Sequence, residues 1–217
     1  MALKSQIVRP VVNTGILLVL FLSLLAQPLS ASAKGHPDVD ALPNFSEFSN
    51  AVQDGSADLP RGVYVPNLLA LPIVQQPAGN PGFVSKQDGK VTQFSMANKY
   101  GNVGLLAHNY LAGKSFSELA IGDEVRLVYG DGRVEKFIVT EVLRYQALQP
   151  YSVYSSFRNI NTEEILSAEK MFKRVYTGDR HMVFQTCIYQ DGNLSWGRLF
   201  ILAVPKSEYE AGDETDF

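Results

Sequence analysis

From about residue 62 the chain alternates short apolar runs with turn residues. The runs are "GVYV" (Gly62–Val65), "LLALPIV" (Leu68–Val74), "VGLLA" (Val103–Ala107), "HMVFQTCIY" (His181–Tyr189) and "RLFILAV" (Arg198–Val204). Between the third and fourth lies "DEVRLVYGDGRVEKFIVTEVL", Asp123–Leu143, in which two β-rich runs flank Gly130-Asp131-Gly132. A Gly-Asp-Gly turn between such runs is a strong hairpin signal, and Asp191-Gly192-Asn193 joins the last two runs in the same way. Short strands with few helices between them and non-local partners predict a mainly all-β domain, a closed or nearly closed barrel of about eight strands. Pro66 and Pro72 predict that the first two runs are edge-like, because proline has no N–H to give to a ladder.

Two helical interruptions are expected. "VTQFSMANKYG" before Val103 has room for one or two turns. "NTEEILSAEKMFKRVY" (Asn161–Tyr176) reads as a helix in a long insertion ahead of the cysteine strand. Asn161 or Thr162 would cap it, Glu163 and Glu164 suit its positive end, and Ile165, Ala168 and Phe172 share a face. Long insertions of this kind often form binding loops. Residues 34–61 read as a proline-broken spacer in which Leu42, Phe45, Phe48 and Val52 recur at a helical interval, so a short helix could pack on the domain. The folded domain is expected over 62–206 and a frayed acidic tail over 207–217.

The N-terminus changes the picture of where this domain works. Lys4 and Arg9 precede the apolar stretch Val11–Ala26, and Ala31-Ser32-Ala33 offers a small-residue cleavage site. Residues 1–33 therefore read as a signal peptide or an uncleaved membrane anchor, and either one puts the folded part outside the cytoplasm. The 217 residues are 46% hydrophobic, enough for one sizeable core, and the net charge of −3 leaves no basic stripe for a nucleic acid.

An exported chain with a single cysteine, Cys187, poses a question. Exported cysteines usually pair, so a lone one is either a small buried hydrophobe or a reactive thiol. Its neighbours separate the two. A nucleophilic thiol needs a base or a cation, and acyl transfer needs a donor aimed at the oxygen that gains charge. His36 lies in the spacer, and His181 would stand about 20 Å along the strand from Cys187. His108 ends a buried run beside Asn109, where it faces a cleft. The turn around Gly192 folds Arg198 back to within a residue or two of the level of Cys187. Taken singly, His108 is an ordinary loop histidine and Arg198 an ordinary strand-end charge. Taken together they surround one carbonyl. Scattered histidines and one cysteine do not match zinc spacing, so neither a metal nor another cofactor is expected.

The order His108, Cys187, Arg198 resembles that of the sortases, cysteine transpeptidases of the cell surface. Their Thr-Leu-x-Thr-Cys signature is matched in part by "VFQTC" (Val183–Cys187), with Thr186-Cys187 kept. Their Leu-Ala-Gly-His is matched in part by "LLAH" (Leu105–His108), without the glycine. Gly101-Asn102, Phe116 with Leu119, and Gly122–Val125 are similar as well, and the likeness runs from about Tyr64 to Pro205. It implies a divergent member. Cys187 would form a thioester with a sorting peptide, Arg198 would hold substrate or oxyanion, and His108 would serve as acid and then base. Ala107 and Thr186 would border the substrate, and the helical insertion would line its groove. The implied partners are a protein or peptide with a sorting motif and an amine acceptor, acting on a monomer. Two rival readings remain: a secreted cysteine hydrolase, and a non-catalytic peptide-binding barrel with an incidental thiol. Papain-like hydrolases carry Cys at a helix start and ahead of His, the reverse of what stands here.

Overall fold

The computed structural model describes residues 42–213. The expected leader over 1–33, His36 and the end of the acidic tail lie outside them. Among the described residues no helix is long and apolar enough to cross a membrane.

Ten strands follow in chain order: β1 (Pro60–Val65), β2 (Leu69–Gln75), β3 (Val91–Phe94), β4 (Val103–Leu106), β5 (Glu124–Tyr129), β6 (Val134–Ala147), β7 (Phe157–Asn159), β8 (Ile165–Leu166), β9 (Met182–Gln190) and β10 (Asn193–Pro205). The sheet runs β10-β9-β4-β3-β2-β1-β5-β6, and β6 pairs back onto β10. Eight strands thus close into a barrel, as the pattern of short runs predicts, and the β7–β8 hairpin extends from β6. Two neighbouring pairs, β2–β3 and β4–β9, are parallel.

Alternation sorts the side chains. Met182 and Phe184 point into a core shared with Leu105, Phe116, Leu127, Phe137 and Ile201. Val183 points outward, into a second cluster with Met171, Val175, Tyr176 and Phe200. Period two along each strand makes this division, so every outward residue of β9 and β10 belongs to one face.

Several expectations change. The first two strands are not edges: β1 pairs with β2 and β5, and β2 with β1 and β3. Pro66 falls past the end of β1. Pro72 is tolerated inside β2 because pairing with β3 begins only at Ile73. The residues before β4 form one strand, β3, and a single helical turn at Ser95–Asn98. The insertion does not become helical at Asn161. The Asn159 side chain accepts from the backbone N–H groups of Asn161 and Thr162 (2.8 and 3.1 Å) and turns the chain into β7–β8. That local bond competes with helix formation. The helix spans Ala168–Tyr176, capped by Ser167, whose hydroxyl accepts from Lys170 N at 3.2 Å. Its buried face is Met171, Val175 and Tyr176, while Ile165 is exposed.

The spacer holds a helix at Phe45–Val52, fixed by a reciprocal capping box between Asn44 and Glu47. Phe48 seals it onto Tyr64 and Val128 of the barrel. The acidic tail is likewise ordered at its start, as a helix over Lys206–Asp213. Lys206 Nζ ties it to Glu124 Oε2 at 2.9 Å, and Arg126 Nε donates to Glu124 Oε1 at 2.8 Å.

Those two cations hold the Glu124 carboxyl down to about 2. A depressed carboxyl stabilises the fold fully above its unfolded value and loses that contribution as pH falls through the folded one. The stability advantage over Glu124→Gln should therefore persist at pH 5 and vanish towards pH 2. Thermal melts across that range check it, and a gap that widened in acid would refute it.

Candidate active site

β9 and β10 pair antiparallel with Cys187 opposite Arg198. The connecting turn takes positive φ at Asp191 (51°) and Gly192 (78°), the mirror-image turn that matches strand twist. On the other flank β4 runs parallel to β9 with Leu106 opposite Gln185, and Ala107 N donates to Gln185 O at 3.2 Å. Continuing that register by two residues brings His108 abreast of Cys187. Ala107 belongs to the inner core, as do Leu105 and Phe184, so His108 lies in outward phase with Cys187 and Arg198. Cys187 and Arg198 thus stand opposite each other on neighbouring strands about 5 Å apart, and His108 lies two residues beyond the end of β4 on the other flank of β9.

Each of the three borders a different hollow. Cys187 is part-buried and free. It borders a pocket of about 260 Å³ with Asn109, Lys114, Arg144, Thr186 and Tyr189. His108 lines a pocket of about 640 Å³ against the loop between β2 and β3, and its ring stacks on Tyr110 (centroids 5.2 Å apart, planes at 20°). Burial pushes its imidazole below the ordinary value; the Val84 backbone opposes this and the Lys86 charge adds to it. Arg198 borders an apolar hollow of about 160 Å³ with Val153, Phe157, Met171, Phe172 and Phe200. Its Nη1 donates to Ser195 O (3.0 Å) and Gly197 O (2.9 Å), and its Nη2 to Pro150 O (3.3 Å). Of the five guanidinium N–H donors, Nε–H and one on Nη2 remain without an acceptor among the described residues. Its three acceptors are all neutral carbonyls, so the cation is aimed without being neutralised.

Thr186 faces the opposite way from Cys187. Its hydroxyl donates to Ala107 O at 2.9 Å in the buried interior. The two residues expected to border substrate stitch the histidine loop to the cysteine strand, and Thr186 also lines the hollow that Cys187 borders. Gly113 completes the stitch, with its N–H on His108 O at 3.0 Å. A Cβ there would stand 2.4 Å from Thr186 Oγ1 and 2.7 Å from His108 O. Asn109 Nδ2 adds a bond to Leu194 O at 2.9 Å, from the histidine loop to the β9–β10 hairpin.

His181 is buried away from the thiol, its ring nitrogens against Asp179 O (2.7 Å) and Val175 O (2.9 Å). Asn102, flagged by sequence likeness, is scaffold: it accepts from His181 N and donates to Tyr176 O. Among the described residues no cluster of three or more His, Cys, Asp or Glu side chains could hold a metal ion. Lys86, Tyr110 and Gly113 escape sequence reasoning. Gly113, close after His108 in a polar loop, carried the only available signal.

No protein-family model and no characterised protein sequence matches the chain. Solved structures do. It is similar to sortase A of Listeria monocytogenes, at 14% identity and a TM-score of 0.42 over 69% of this chain and 88% of that one. It is similar to a Clostridium perfringens sortase D5 transpeptidase at 12% and 0.43, over 74% and 87%. A sortase of Actinomyces oris aligns at 17% and 0.42, over 72% and 87%.

Replacing Gly113 with Ala should force the histidine loop off Thr186, at a cost of about 1–3 kcal/mol. A lower melting temperature and shifted amide resonances at His108 and Thr186 are expected, with Ser117→Ala as an exposed control. An unchanged melt would show that the loop has slack.

Proposed function

We propose that the chain is a sortase-like cysteine transpeptidase acting outside the cytoplasm. It would cleave a sorting peptide through a Cys187 thioester and transfer the acyl part to an amine. What supports this reading is the direct pairing of Cys187 with Arg198 across β9 and β10, with His108 two residues past the end of β4, the strand that flanks β9 on its other side. The unneutralised Arg198 donors beside an apolar hollow support it. The apolar stretch Val11–Ala26 supports export.

In the first half-reaction the Cys187 thiolate attacks the scissile carbonyl, and the oxyanion forms within reach of the free Arg198 N–H pair. The C–N bond breaks as the His108 imidazolium gives its proton to the departing amine. A neutral acceptor amine then attacks the thioester, the C–S bond breaks, and His108 takes the amine's surplus proton. Thiolate and imidazolium are restored together. Preorganised donors at an oxyanion are worth about 10²–10³ in rate, and a positioned acid–base about 10²–10⁴.

The test is mass spectrometry of the purified domain incubated with a peptide library and an amine. A thioester on Cys187 followed by amine-ligated product is expected. Cys187→Ala should abolish both; His108→Ala and Arg198→Ala should slow turnover by about the factors above, with Arg198→Lys recovering part. Release to water with amine never incorporated would make the protein a hydrolase. No adduct with any peptide would leave a non-catalytic barrel.

A further inference from the structure

The hollows around the site share a charge pattern. The pocket at His108 has Lys86, the one at Cys187 has Lys114 and Arg144, and the one at Arg198 has that arginine; no Asp or Glu lines any of them. A hollow elsewhere on the barrel mixes Glu141, Asp179 and Glu208 with Arg174 and Arg180. Lys86, Lys114 and Arg144 are exposed, and none of them forms an ion pair among the described residues, whereas the half-buried Arg61 and Arg180 pair with Asp54 and Glu135. In a chain of net charge −3, cations left unpaired at one site are complementary to an anionic ligand.

The His108 pocket is the roomiest of the three and has a fixed wall. Gln76 Nε2 donates to Pro81 O (2.9 Å) and Phe83 O (3.0 Å), while its Oε1 accepts from Ser95 N and Oγ. Ser85 N donates to the buried Thr92 hydroxyl at 2.8 Å. The loop is therefore pinned up to the residue before Lys86. Asp88, the nearest acid in sequence, accepts from Gly89 N at 2.9 Å and does not line the pocket. Lys86 is the only charged side chain lining the pocket besides the titratable His108.

We propose that this pocket is the acceptor subsite and that Lys86 selects amines that carry a carboxylate. The inference rests on the transpeptidase reading and names the class of its second substrate: an amino acid or peptide with a free acid group, its amine at His108 and its carboxylate at Lys86. Lys86 acts on specificity and not on the bonds. Its charge opposes the imidazolium on His108, so a carboxylate seated there also relieves that opposition when His108 takes the amine's proton.

The test compares triglycine with its C-terminal amide as acceptors. Thioester formation is measured first, without amine, and the two amines then compete for the preformed adduct. Triglycine should be favoured about fivefold through KM, the size of an exposed charge pair. Lys86→Gln should erase the preference and Lys86→Glu reverse it, each read as the ratio of the two ligated products formed from the preformed thioester. If the thioester forms and both amines are used equally, the Lys86 assignment is wrong and the transpeptidase reading stands. If no thioester forms, the reaction is wrong, and a second readout decides the pocket: triglycine, but not the amide, should shift the His108 ring resonances in NMR, and should fail to do so in Lys86→Gln. Equal shifts from both ligands would overturn the proposal.

Discussion

The site depends on register. Backbone pairing of β9 with β10 sets Cys187 opposite Arg198, and pairing of β4 with β9 fixes where the segment carrying His108 leaves the sheet. A slip of one residue in β9 would turn Cys187 inward and Thr186 outward, since strand side chains alternate. The register is defended from the inside. Phe184 is fully buried against Phe116 (centroids 5.1 Å apart), and Met182 and Ile201 fill the same core. Thr186 can reach Ala107 O only in this phase. Gly197 admits the close approach of β6, since a Cβ there would lie 2.5 Å from Tyr145 O. Core packing and site geometry are thus one constraint seen from two faces of one sheet.

Electrostatics on the outer face follow a different rule from the rest of the surface. Elsewhere several cations are matched: Lys206 and Arg126 to Glu124, Arg180 to Glu135, Arg174 to Glu141. At the site they are held by neutral groups or left open. Carbonyl oxygens can orient a guanidinium without cancelling its charge, so Arg198 is positioned while its field remains available to a substrate.

Much of this was legible in the sequence because period two and turn chemistry are local signals. The Asp191-Gly192 turn sets where Arg198 folds back, and the expectation of near-level placement matches a direct pairing. Outward phase for His108 follows from the apolar run before it. The failures were also local in cause. Asn161 looked like a helix cap, but Asn159 captures the chain two residues earlier and starts a hairpin. The prolines suggested edges, because a closed barrel can seat proline wherever one flank is briefly unpaired, and sequence does not say where that is. The bond from the Thr186 hydroxyl to Ala107 O carried no sequence signal and appears only once the phase of β9 is fixed. Lys86 carried no signal at all, since its nearness to His108 follows from the antiparallel pairing of β3 with β4, which sets Thr92 opposite Leu106.

The bond from Arg198 Nη2 to Pro150 O joins the guanidinium to the loop between β6 and β7, which carries the exposed side chains Tyr151, Val153 and Tyr154. Tyr151 also reaches the β9–β10 hairpin, donating to Asn193 Oδ1 at 3.2 Å. Loop and arginine therefore share a hinge pin: displacing Pro150 frees a hydrogen on Nη2, and swinging Arg198 away strands the Pro150 carbonyl. The roof over the apolar hollow and the charge at its rim have no independent settings.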